Sequence, residues 1–151
     1  AKAKAKANRL KSTSNMGQIS KSLIWYAEEN DGKLPPADKW CDAIMQYAGS
    51  PRIFISPQDP EAMAKFERGE KVSSYAFNAD LAGKNIDEVF NNGNLVLVFE
   101  CNLGWNGTGG LTELRKHVPP DQWNISTIDG ASYQANPNML QRNRIRWKPE
   151  R

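Results

Sequence analysis

Met16, Ile19, Leu23 and Tyr26 stand at i, i+3, i+7 and i+10, the spacing that places apolar side chains on one face of an α-helix. No proline occurs before Pro35, so the pattern predicts one long helix from Ala1 to about Asn30, with its packed face confined to residues 16–27. Upstream, alanine and lysine alternate. Both favour helix, but a period of two spreads the lysines around the whole circumference and leaves no apolar stripe. The first eleven residues are therefore expected to be helical while packing on nothing within the chain. Asp31 and Gly32 supply a stop, and Pro35 and Pro36 block resumption. At about 1.5 Å per residue such a helix spans on the order of 45 Å and should protrude.

A second helix is expected to start at Asp38 as N-cap, to carry Trp40, Ala43, Ile44 and Tyr47 at helical spacing, and to close at Gly49 and Pro51. "IFIS" (53–56) reads as a short extended piece. "DPEAMAKFERGE" gives a third helix, with Asp59 as cap, Pro60 in the first turn and Gly69 as terminator. Beyond it the period changes. "SSYAFNA" (73–79), "NLVLVFEC" (94–101) and "WNISTID" (123–129) are short, rich in β-branched and aromatic residues, and bounded by turn formers. A turn at Asp129-Gly130 leads into a further strand in "DGASYQA", and "IRWKP" closes the pattern. One long helix followed by a small antiparallel sheet with extra short helices is an α+β fold. It divides into a helical stalk, 1–31, whose lower half packs on the rest, and a globular head, 32–151.

The chain has 151 residues, enough for one core. Its net charge of +3 is local in origin, because five cations lie in the first eleven residues (Lys2, Lys4, Lys6, Arg9, Lys11) and no acid precedes Glu28. The remainder holds 15 basic against 17 acidic residues. A folded surface that grips a nucleic-acid backbone needs clustered cations, so no nucleic acid is expected as partner. Arg142, Arg144, Arg146, Lys148 and Arg151 form a second basic group, and a polyanion-binding arm is the alternative reading of the N-terminus. No run of eighteen apolar residues and no signal-peptide core is present.

Cys41 and Cys101 are either a disulfide pair or two buried thiols, and with one histidine, His117, they exclude the usual zinc sets. Asp121 and Asp129 could orient His117, but no nucleophile elbow, metal signature or phosphate loop accompanies it, so no enzyme is expected. "GWNGTGG" (104–110) is either a ligand loop, with Trp105 stacking on a sugar and Asn106 bonding to it, or a tight turn with Trp105 packed over the sheet edge.

The order of these words resembles the type IV pilin-like proteins of the type II secretion and type IV pilus superfamily, and within it the bacterial group with a processing-associated "H-X9-DG" domain. The residues that carry the resemblance are Ala1 to Arg9, Asn15, Gln18, Ile19, Tyr26, Asp31-Gly32, Leu34-Pro35, Trp40, Tyr47, "SYAFN", "VLVFE", "GWNGTGG", His117, Asp129-Gly130 and Arg146-Trp147. Eleven residues rather than nine separate His117 from Asp129. Where the pattern carries a cysteine before Asn15 this chain has Ser12, Thr13 and Ser14, and where it carries one before Pro57 it has Ser56.

The resemblance implies a pilin-like or pseudopilin filament subunit without catalytic activity. An apolar helix would run into "AKAKAKANRL" and anchor the precursor in the inner membrane. The head would stand at the cell surface or in the periplasm, with its own copies or other pilin-like subunits as partners through the N-terminal helix. A surface adhesin or signalling ligand with the same fold is the alternative. By resemblance, Met16, Ile19, Leu23 and Tyr26 dock stalk on head. No cofactor is implied except calcium, for which Asp121, Asn124 and Asp129 are the oxygen ligands in the corresponding region.

Overall fold

A computed structural model describes residues 1–90 and 93–149. Helix α1 (Lys2–Glu29) is 28 residues long, about 42 Å at 1.5 Å per residue. It ends where Asp31 and Gly32 turn left-handed, with φ of 57° and 81°, and the Gly32 N–H donates to the Ala27 carbonyl at 2.7 Å. A Cβ on Gly32 would also come within 3.0 Å of the Asn85 side chain, so glycine is required there for both backbone and space.

The buried face of α1 is longer and more polar than its apolar spacing suggests: Ser12, Asn15, Met16, Ile19, Ser20, Ser22, Leu23 and Ala27. Tyr26 is only half-buried and packs at the rim. Residues 2–7 are helical and exposed, as their composition predicts, but Asn8 and Arg9 are half-buried. That turn overhangs a cleft described below, which corrects the expectation that it meets nothing.

Five strands follow: β1 (Tyr75–Asn78), β2 (Val96–Glu100), β3 (Thr108–Gly109), β4 (Trp123–Thr127) and β5 (Ser132–Ala135), in the order β3-β1-β2-β4-β5. β1, β2, β4 and β5 pair antiparallel, whereas β3 runs parallel to β1. The sheet is therefore mixed and not wholly antiparallel. A register shift between Val96 and Val98 lets Leu97 and Val98 both join the α1 side of the core while Val96 and Phe99 face the other side.

The first layer buries Met16, Ile19 and Leu23 against Trp40, Phe54, Tyr75 and Phe77. The second is built on Phe99, Leu114, Trp123, Ile125, Ile145 and Trp147. "IRWKP" closes that layer by running parallel beside the start of β2, through a bridge between Leu95 and Arg146.

Helices α2 (Trp40–Ala48) and α3 (Pro60–Glu67) form where expected, and Asp59 caps α3 by accepting from the Ala62 N–H at 3.1 Å. Asp38 does not cap α2; it lies in a 3₁₀ turn, Ala37–Lys39. "IFIS" is likewise not extended throughout, because Pro51–Phe54 is a 3₁₀ turn set by Ser50, and extended backbone resumes at Ile55. Three short helices were not legible beforehand: α4 (Ile86–Val89), α5 (Leu111–His117) and α6 (Pro137–Gln141). No helix among the described residues is long and apolar enough to cross a membrane.

Candidate functional site

The seam between α1 and the sheet carries an extended polar network. α1 presents hydroxyls and an amide where a docking helix would ordinarily present leucines. Each buried polar group therefore has to find a hydrogen-bond partner. Ser20 Oγ meets Ser126 Oγ at 2.6 Å, Asn15 Nδ2 donates to the Ile55 carbonyl at 3.0 Å, and Ser12 Oγ meets the Tyr75 hydroxyl at 2.9 Å.

The network converges on Glu100 at the end of β2. Its carboxylate accepts from Ser12 Oγ, from Ser56 Oγ at 2.8 Å, from Gln58 Nε2 at 3.2 Å and from Asn124 Nδ2 at 3.1 Å. Three segments distant in sequence, around Ser12, Ser56 to Gln58 and Asn124, thus share one anion, which hydrogen bonds stabilise; among the described residues it has no ion pair. Burial, and then the charge of Glu100, push the Tyr75 hydroxyl well above its ordinary pKa. The Asn124 Oδ1, in a residue only 2 % exposed, has no hydrogen-bond partner among the described residues.

Glu100 and Asn124 lie at one end of a cleft of about 900 Å³. Lys2, Lys6 and Arg9 line it from α1, and His117, at the end of α5, lines it as well. Among the described residues these three cations have no ion pair or hydrogen bond. His117 is exposed and is not brought against Asp121 or Asp129.

The four predicted docking residues behave unequally. Met16, Ile19 and Leu23 are fully buried in the first core layer, while Tyr26 contributes an edge contact to Tyr47 at 6.4 Å between ring centroids.

"GWNGTGG" is a latch. Asn106, at φ 60°, uses its Oδ1 to accept from the N–H groups of Cys41 and Asp42, at 2.8 and 3.3 Å, and so caps α2 from 64 residues away. Its Nδ2 and the Trp105 indole both donate to Asp42, at 2.8 and 3.0 Å. These two bonds hold the Asp42 carboxyl below its usual range. The Trp105 ring packs edge-on against Phe54 at 5.0 Å. Both residues have their side-chain polar atoms engaged within the fold.

Cys41 and Cys101 are two separate buried thiols, not a disulfide. They belong to opposite core layers with the sheet between them. Burial pushes Cys41 up to about 12 and Cys101 up to about 11.

The calcium candidates do not converge. Asn124 is turned to Glu100, whereas Asp129 accepts from Thr127 Oγ1 and the Ala131 N–H within its own turn. Asp121 lends only its backbone carbonyl, to Gln134 at 2.5 Å. No group of three or more His, Cys, Asp or Glu side chains positioned for a metal occurs among the described residues. In the second basic group, Arg146 Nε donates to Asn94 Oδ1 at 3.0 Å, and Arg151 lies outside the described residues.

Comparison with protein-family models, with curated proteins and with solved structures finds no match to this chain.

Proposed function

We propose that this chain is the head and stalk of a non-enzymatic, pilin-like filament subunit, continued upstream by an apolar anchoring helix and displayed at the cell surface or in the periplasm. The observation that carries the reading is the division of labour along α1. Residues 12–27 are locked to the sheet, while residues 2–7 hold a regular, exposed helix whose cations have no ion pair among the described residues. A helix of that length costs conformational entropy that its own exposed turns do not recover. Neighbouring subunits, or the headgroups at the point where the helix leaves a bilayer, would supply the missing contacts.

A second observation points the same way. Ser12, one of the three residues (Ser12, Thr13 and Ser14) that stand where the pilin-like pattern carries a cysteine, and Ser56, which stands where it carries another, lie with their hydroxyls 3.3 Å apart. Electron microscopy of sheared surface and membrane fractions, labelled with antibody to the head, tests the reading. Labelled filaments are expected, and label found solely on soluble protein would overturn it.

Polyanion binding is the second reading, favoured by Lys2, Lys6 and Arg9 on one wall of the cleft. It requires an affinity for heparin or nucleic acid that falls steeply with salt.

A further inference from the structure

α1 leaves unused surfaces at both of its ends. Near the C-terminal end, Trp25 and Phe90 stand 52 % and 54 % exposed beside a groove of about 290 Å³ that also involves Ile24, Ile128 and the Asp129-Gly130 turn. Trp25 is held in place, not loose. Its indole donates to Glu29 at 3.2 Å, and its ring lies 5.2 Å from that of Tyr47, whose hydroxyl donates to the same carboxylate at 2.5 Å. An ordered aromatic face is thus kept toward solvent.

Acids dominate the surroundings of this groove. Glu28 and Asp129 line it, and Glu29, Asp31, Asp87 and Glu88 lie on the adjoining turns, against Lys21, Lys33 and Lys84. At the other end of the helix, Lys2, Lys4 and Lys6 alternate with alanines on exposed turns.

We infer that the Trp25–Phe90 groove receives the first two turns of α1 from a second copy of this chain. The two surfaces are complementary in charge. Alanines let a helix approach an aromatic wall closely, and the lysine stems can lie along the rings while their ammonium groups meet the π-faces or the carboxylates of the rim. A chain cannot fill its own groove, because residues 4 and 25 sit on one straight helix about 30 Å apart. The contact is heterologous and open, so each copy offers one unsatisfied end to the next. With helices parallel, successive contacting copies are displaced by about 30 Å along α1. This inference rests on the filament reading and specifies a lateral contact within it. One such contact is smaller than a stable interface, so it acts through repetition along the array.

The test is made in the full-length protein in its own cell, with Lys4→Cys and Glu28→Cys in one chain. These positions are roughly 36 Å apart on α1, so a short bis-maleimide link between them joins two copies. A ladder of cross-linked multimers is expected. Glu28→Lys with Glu88→Lys, and separately Lys2→Glu with Lys6→Glu, should each lower self-association about tenfold, and mixing the two charge-reversed proteins should restore it. All four positions are exposed, so both variants should keep the parent circular-dichroism melt. Filaments that form with no residue 4 to residue 28 link, or that are indifferent to charge reversal, would overturn the inference and leave the filament reading standing. A link that forms in a protein making no filaments would sustain the contact and remove the reading beneath it.

Discussion

The hydroxyls of Ser12 on α1 and Ser56 beyond the 51–54 turn lie 3.3 Å apart, and both donate to the carboxylate of Glu100. This pairing ties the long helix to the sheet with side chains that, read along the sequence, look like solvent-facing polar residues. Replacing both serines by cysteine should give a disulfide closing a loop of about 45 residues, which stabilises the oxidised over the reduced protein by ~4 kcal/mol in the chain-entropy picture. The reduced double variant should be less stable than the parent by about 3 kcal/mol, because two hydrogen bonds to a charged acceptor are lost. Thermal melts with and without reductant measure both effects. Identical melts would show that the two positions do not meet.

Asn106 joins the "GWNGTGG" loop to α2 by capping Cys41 and Asp42. Asn106→Ala should destabilise the fold by about 1–2 kcal/mol, losing both the cap and a residue that tolerates positive φ. Asn106→Gly keeps the backbone freedom and should cost less. Urea unfolding of the two variants gives the order, and equal losses would mean that only the hydrogen bonds matter.

Alkaline pH should weaken the protein. Cys41, Cys101 and Tyr75 all have folded-state pKa values raised, chiefly by burial, above the ordinary 9.0 of a thiol and 10.0 of a phenol. A raised acid binds its proton more tightly in the folded state, so this contribution is fully present below about pH 9 and is lost as pH rises toward 12. Stability should therefore be level near pH 8 and fall between pH 9 and 12. Both thiols should also resist maleimide at pH 8 until denaturant is added.

Removing residues 1–11 should lower helical circular dichroism while moving the melting temperature by no more than a few degrees, since those turns bury little. Leu23→Ala, by contrast, empties a fully buried site and should cost about 2–5 kcal/mol. A large loss of stability on truncation would place the basic turns within the folding unit and weaken the reading of them as an assembly surface.

Much of this architecture was legible from local pattern. Met16, Ile19 and Leu23 announce α1 because apolar periodicity survives there, and β1, β2 and β4 stand out as short apolar runs between turn formers. What stayed hidden depends on distant partners. Ser12, Asn15 and Ser20 are buried only because Tyr75, Ile55 and Ser126 satisfy them. The cap on α2 comes from Asn106 rather than the adjacent Asp38. Cys41 and Cys101 could not be assigned from spacing, since a period-two strand and a helix place them in opposite layers. The two residues of β3, Thr108 and Gly109, carry no strand signal of their own, and Gly107 before them supplies the carbonyl that accepts from the Phe77 N–H.

The most direct test of the central claim is mass spectrometry of the native protein's N-terminal peptides, taken from membrane, surface and soluble fractions. The account predicts, in the membrane or surface fraction, an apolar segment of about twenty residues reading directly into "AKAKAKANRL", with a processed and methylated amino terminus. A native terminus at or beside Ala1, recovered from the cytosolic fraction, would contradict it.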